Sequence, residues 1–166
     1  YITKTTRLQN VPTTLKRKSC WNPVLYEMPN GELWLFFKIG SSVGDWTGWL
    51  AQSKDGGKTW SDKEPLPFDS EGRAFLGPIK NKPELIGNRL LCGSSTEGNG
   101  WRFHMEIYDL NTKQWKYIPV ESTEATKTDD MKQHPIDCIQ PSILKLKDGR
   151  LQVLMRTHNA RLATSF

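Results

Sequence analysis

Asn22-Pro23-Val24-Leu25-Tyr26-Glu27-Met28, the break Pro29-Asn30-Gly31, and Glu32-Leu33-Trp34-Leu35-Phe36-Phe37-Lys38 decide the architecture. Two β-prone runs around an Asn-Gly turn predict a hairpin. The design returns twice. Lys82-Pro83-Glu84-Leu85-Ile86, Gly87-Asn88 and Arg89-Leu90-Leu91-Cys92 form a second copy. Gln140-Pro141-Ser142-Ile143-Leu144-Lys145-Leu146, Lys147-Asp148-Gly149 and Arg150 to Met155 form a third. The repeats start near 22, 82 and 140, with Pro23, Pro83 and Pro141 spaced 60 and 58 residues apart. Proline suits the first residue of a strand, where its missing N–H costs least.

Working outward, each hairpin is followed by further strand signals. Thr47 to Ser53 leads into a tight turn that ends at Trp60. Trp101 to Tyr108 and Trp115 to Ile118 flank Asp109-Leu110-Asn111-Thr112-Lys113. Two hairpins per repeat make a four-stranded unit, so the pattern predicts an all-β propeller with three four-stranded blades. Thirteen Gly, ten Pro and seven Trp in 166 residues speak against a helical bundle. Glu121 to Gln133 (121–133) has almost no apolar residue and reads as a solvated loop between blades. Three blades cannot close a ring, and a half-ring leaves blade faces open to water. Residues 1–166 are therefore expected to be the N-terminal half of one larger propeller domain. A second chain or missing sequence is expected to complete it.

Composition removes some classes. The net charge of +5 is spread thinly, with Lys16-Arg17-Lys18 the densest basic run. Tracking phosphates needs a continuous basic stripe, so no nucleic-acid partner is expected. The longest apolar run, Leu33 to Phe37, is far too short for a bilayer span, and no membrane role is expected. Cys20, Cys92 and Cys138 are odd in number and form no CxxC pair. They read either as free thiols or as one bridge plus a cysteine that pairs outside the chain. His104, His134 and His158 make no local metal set, and neither metal nor organic cofactor is expected. The chain opens on Tyr1 rather than Met and closes on a strand-like run to Phe166, as expected of a processed or partial product.

The sharpest motif is Ser53-Lys54-Asp55-Gly56-Gly57-Lys58-Thr59-Trp60, a full Asp box of the form S-x-D-x-G-x-T-W. Its chemistry is mechanical: the carboxylate accepts backbone N–H groups, glycine supplies positive φ, and the indole packs beneath. Ser53, Asp55, Gly57 and Trp60 are therefore structural. Asp109 to Trp115 is a degenerate version.

With that box, Asn22-Pro23-Val24-Leu25, Gly77 to Pro83, Ser94-Ser95-Thr96-Glu97, Gly100 to His104 and Ile139 to Leu144 resemble the sialidase (neuraminidase) superfamily, in its BNR-repeat, sialidase-like branch. The resemblance implies a six-bladed propeller with its site at one end of the axis, and a secreted or secretory-pathway protein. Sialidases hold a sugar carboxylate with three arginines, use an Asp as acid/base and a Tyr–Glu pair as nucleophile. The first arginine position is Trp21 here, a departure, and Lys38 lies roughly where another arginine is common. Asp45, beside Trp46, occupies the loop of the acid/base Asp. The Tyr–Glu pair would lie outside this half.

Other polar residues fall where strands meet axial loops: Asn81, Lys82, Glu97, Trp101, Arg102, His104, Gln140 and Arg156. Cations, amides, a carboxylate and indoles around one axis suit a pyranose, with the ring on an indole and charged donors on hydroxyls or a carboxylate. Asp45 and Glu97 are the catalytic candidates. Lys38, Trp46, Asn81, Lys82, Trp101, Arg102, His104, Gln140 and Arg156 are the substrate-binding ones. The expected function is a glycoside hydrolase acting on an acidic or complex glycan. The alternatives are a non-catalytic, lectin-like propeller and an interaction propeller that presents 121–133.

Overall fold

The structure is a computed structural model that describes residues 18–98, 100–120 and 137–157, and the backbone of 162–165. Three antiparallel sheets follow one another along the chain. β1 (Ser19–Glu27), β2 (Leu33–Gly40), β3 (Thr47–Ser53) and β4 (Glu64–Pro65) pair in sequence order. So do β5 (Glu84–Ile86), β6 (Arg89–Thr96), β7 (Arg102–Asp109) and β8 (Gln114–Pro119). β9 (Cys138–Lys145), β10 (Leu151–Thr157) and β11 (Leu162–Ser165) form the third sheet in the order β11-β10-β9. The third sheet thus has three strands among the described residues, where the repeat predicts four. The predicted loop at 121–133 lies outside the described residues.

Pro83 sits directly before β5, at the strand start, but the other two repeat prolines sit differently from the expectation. Pro23 and Pro141 lie inside β1 and β9, each where the pairing register slips, between Trp21 and Val24 and opposite Leu154 to Arg156. The residues before them, Asn22 (φ 46°) and Gln140 (φ 57°), take the left-handed conformation. A bulge leaves a residue unpaired, so proline's missing N–H breaks no ladder bond there.

Side-chain alternation builds the core. On β2, Trp34, Phe36, Lys38 and Gly40 are buried while Leu33, Leu35, Phe37 and Ile39 are half-buried. Trp34 and Phe36 meet Phe75 of the connecting segment and Leu90, Cys92, Tyr108 and Trp115 of the second repeat. Aromatic edges interlock there, with Phe36 perpendicular to Trp115 at 6.5 Å and Trp34 at 5.7 Å from Tyr108. Phe103, Cys138, Val153 and Met155 join the second sheet to the third. A Cβ on Gly93 of β6 would meet the Pro141 ring at 2.6 Å, so glycine sets how closely these two sheets approach. The three cysteines are unbridged, Cys92 and Cys138 buried and Cys20 exposed. Leu25 on the first sheet, and Leu144 and Leu154 on the third, remain exposed.

Candidate functional site

Topology sends two kinds of turn to opposite ends of the sheets. β1 begins, β2 ends and β3 begins at one end; the hairpin turns and the box turns lie at the other. The first end carries loop 41–46 of the first repeat and, from the second, Glu97, Gly98, Gly100 and Trp101 between β6 and β7. These loops touch at glycines: a Cβ on Gly98 would stand 2.9 Å from the Gly44 Cα. Below them opens a cleft of about 350 Å³ lined by Val43, Trp46, Arg73, Thr96, His104 and Tyr117, among others.

The cleft floor rests on a buried polar group. Glu106, with no exposed surface, accepts the Leu76 N–H at 3.0 and 3.1 Å and the Gly77 N–H at 2.6 Å. Its Oε1 also lies 2.9 Å from His104 Nε2. A carboxylate that already takes two backbone donors can only accept, which assigns the ring proton to Nε2. His104 stacks on Tyr117, with centroids 4.5 Å apart. The Arg73 guanidinium lies 4.3 Å from the centre of the same Tyr117 ring. Burial pushes the Tyr117 hydroxyl up, against the pull of Arg73. On β2 of the first sheet Lys38 is fully buried and donates to the Pro78 carbonyl at 2.5 Å. Burial lowers its ammonium to about 8, against the opposing charge of Glu106. Cys92 lies opposite Glu106 on β6, and burial pushes its thiol well above the usual range. Glu106 and Lys38 together pin the segment Leu76-Gly77-Pro78 that links the first two sheets.

Asp45 stands in the exposed loop above. Its carboxylate accepts the Ser42 N–H at 2.6 Å, the Ser41 N–H at 3.1 Å and the Ser42 hydroxyl. The amides of Ser42 and Ser41 hold it at about 2. Trp46, one residue on, is buried edge-on against Trp21 at 6.0 Å and forms part of the cleft wall. Trp21 gives its indole N–H to the Gly40 carbonyl at 3.1 Å. Glu97 is half-buried in the touching loop of the second repeat.

The remaining candidates gather at the same end, outside the cleft lining. Arg102 pairs with Asp137, tying the second repeat to the start of the third sheet. Arg156 lies over the Trp101 ring at 4.9 Å. Asn81 donates to the carbonyls of Gln140 and Pro141 at 3.0 and 2.9 Å, so this amide serves the joint between sheets. Gln140 is half-buried and Lys82 exposed. Lys38, expected at the ligand, faces the interior instead. Among the described residues no three His, Cys, Asp or Glu side chains converge on a metal site.

Sequence reasoning passed over Glu106, Arg73 and Tyr117. The available signal was the pair His104 and Glu106, two apart on a strand and therefore on one face. Arg73 lies in a coil whose turn is closed by Asp69, which pairs with it at 2.6 Å, as does Glu71 at 3.0 Å.

At the far end the Asp box closes its turn. Asp55 accepts the Thr59 hydroxyl at 2.6 Å, the Thr59 N–H at 2.9 Å and the Ser53 hydroxyl at 2.8 Å, which hold it at about 2. Ser53 in turn accepts the Gly57 N–H, and Gly57 takes a φ of 86°. Trp60 is 39% exposed, so its indole covers the turn from outside instead of entering the core. In the degenerate box Asp109 accepts the Asn111 and Thr112 N–H groups, and Trp115 packs against the core cluster.

A solved endo-arabinase from Bacteroides thetaiotaomicron VPI-5482 superposes with a TM-score of 0.56 at 17% identity, over 96% of this chain and 60% of that one. The Hadza microbial sialidase Hz136 matches at 13% identity and a TM-score of 0.46, over 90% of this chain and 32% of that one. This chain therefore spans less than two thirds of either structure, and the likeness to the arabinase is one of fold. No curated protein matches the sequence. The model of the BNR repeat-like domain matches residues 3–165. With the family model running through nearly its whole length, the chain belongs to the BNR repeat-like domain family.

Proposed function

We propose that this chain supplies three blades of a six-bladed, carbohydrate-active propeller whose glycan site is the cleft between its first two sheets. The reading rests on one observation: indole, phenol, guanidinium and imidazole groups line one cleft beneath touching loops that carry Asp45 and Glu97. A sugar ring lies against Trp46 while polar groups take its hydroxyls. The activity that best fits is glycoside hydrolysis of a complex glycan. Asp45, held ionised by two amides, suits the base or charge-stabilising side of such a reaction, and Glu97 the proton-donating side. Further blades, on another chain or on more sequence, cover the exposed Leu25, Leu144 and Leu154 faces.

Of the candidate cations for an acidic glycan, Arg102 pairs with a carboxylate and Arg156 lies over an indole, while Lys82 stays exposed. A second reading, binding without cleavage, draws on Trp21 at the position of the first arginine and on the strong acidity of Asp45. The complete native protein, assayed on a panel of aryl glycosides and on a glycan array, separates the two. Hydrolysis lost in Asp45→Asn and in Glu97→Gln supports the hydrolase. Glycan binding without turnover, unchanged in both variants, selects the lectin-like reading. Neither binding nor turnover contradicts both.

A further inference from the structure

The turn Asp69-Ser70-Glu71-Gly72-Arg73 stands between β4 and the segment that Glu106 holds. Its backbone closes it unaided: the Asp69 N–H donates to the Arg73 carbonyl at 2.9 Å and the Gly72 N–H to the Asp69 carbonyl at 3.1 Å. The Asp69 carboxylate adds the amides of Glu71 and Arg73, both at 2.9 Å. Buried Leu66 and Phe75 anchor the two ends. The Arg73 guanidinium is not needed to close this turn, yet it is held on three sides. Its Nε donates to Asp69 at 2.6 Å, its Nη1 meets Glu71 at 3.0 Å, and its flat face lies 4.3 Å from the centre of the Tyr117 ring. A group held in this way has already given up the rotamer freedom that an arginine otherwise loses on binding a ligand. The remaining nitrogen, Nη2, has no acceptor among the described residues, and the side chain is 45% exposed. Of the described residues that line the cleft, Arg73 alone carries a fixed charge, and two carboxylates offset it. What remains at Nη2 is a pair of N–H donors of set direction.

We propose that Arg73 is a specificity-determining residue of the cleft: its Nη2 donates to one oxygen of the sugar beside Trp46, and Asp69 is the positioning residue that sets its direction. This rests on the reading of the cleft as a glycan site and adds the residue that discriminates among glycans. A donor of fixed direction favours the sugar whose oxygen lies in its path. It rejects the analogue that lacks that oxygen, because the N–H is then left without its partner. The requirement is for one acceptor oxygen at one place, on a neutral or an acidic sugar alike.

The test uses the complete native protein. Methyl glycosides of arabinose, galactose, glucose, glucuronic acid, galacturonic acid and sialic acid are titrated first. The one that binds best is then remade as a series that lacks one oxygen at a time. One member is expected to bind the native protein about tenfold more weakly than the parent probe. Arg73→Met, which keeps an unbranched stem over Tyr117, is expected to bind the parent about tenfold more weakly and to treat that member and the parent alike. Arg73→Lys is expected not to restore the loss, because an ammonium has no planar fork to hold Asp69 and the ligand together. Asp69→Asn is expected to narrow the gap between the parent and that member, a change of selectivity that lost stability alone does not produce. Should Arg73→Met fail to fold, the ¹⁵N signals of the native Arg73 decide: Nη2 shifts on adding the parent probe and Nε does not. No weakening in Arg73→Met, or weakening shared equally by every member, overturns the proposal and leaves the glycan cleft standing, as does full affinity in Arg73→Lys. Binding by none of the six glycosides overturns the glycan cleft and the proposal with it.

Discussion

Asp45 and Glu106 do the same job in two places. Each carboxylate collects two backbone N–H groups, and each fixes a segment at the site end of the sheets. Asp45 takes its donors from three and four residues away in an exposed loop. Glu106 takes its donors from 29 and 30 residues away and is sealed from water. The local carboxylate shapes one loop; the distant one joins two sheets and sets a cleft histidine. Water can replace much of what Asp45 offers its amides, whereas nothing replaces Glu106 if it is lost.

The largest effect is therefore expected at the buried member. Glu106→Gln turns an amide donor toward either a backbone N–H or the His104 proton and removes a charge from beside Lys38. A loss of about 3 kcal/mol in urea unfolding is expected. A loss no greater than that of an exposed substitution would erase the contrast.

Next comes Lys38, buried in the same group. Its ammonium sits at about 8 in the fold against an ordinary 10.5, so between these values the unfolded chain binds more protons than the folded one. Stability contributed by this group therefore rises with pH from about 8 to about 10.5, by up to about 3 kcal/mol. Cys92 acts in the opposite sense above its ordinary 9.0, because the unfolded chain sheds a proton that the fold keeps. The difference between unfolding curves of the native chain and Lys38→Met isolates the lysine, and that difference is expected to rise through this window. A flat difference would show that the buried ammonium is not destabilised.

Smallest is Asp45→Asn. The native carboxylate sits at about 2 against an ordinary 3.8, so its contribution is complete above about pH 4 and fades as pH falls toward 2. Melting curves in that range are expected to be slightly flatter for the variant, with little change at neutral pH. A neutral-pH loss matching that of Glu106→Gln would mean that the exposed loop carries as much as the buried group.

The same contrast explains what was legible in the sequence. Pro23, Pro83 and Pro141, with their hairpins, announce the sheets, because strand alternation and turn chemistry are local. The Asp box announces its own turn down to the Ser53, Asp55 and Thr59 contacts. Asp45 is visible as a loop carboxylate beside glycine. Lys38 misleads, because its place at the end of an apolar strand does not say that Pro78 waits across the interior. Glu106 and Arg73 stay hidden because their partners, Leu76, Gly77 and Tyr117, arrive only once the sheets pack. The third sheet's expected fourth strand follows from repeat counting alone, and the described residues supply three.

The most direct test of the glycan cleft is a crystal structure of the complete native protein soaked with the oligosaccharide that binds best. The expected result is a sugar in the cleft beside Trp46, beneath the loops that carry Asp45 and Glu97. A sugar seated elsewhere at that end, over Lys82 and Gln140, would contradict the account.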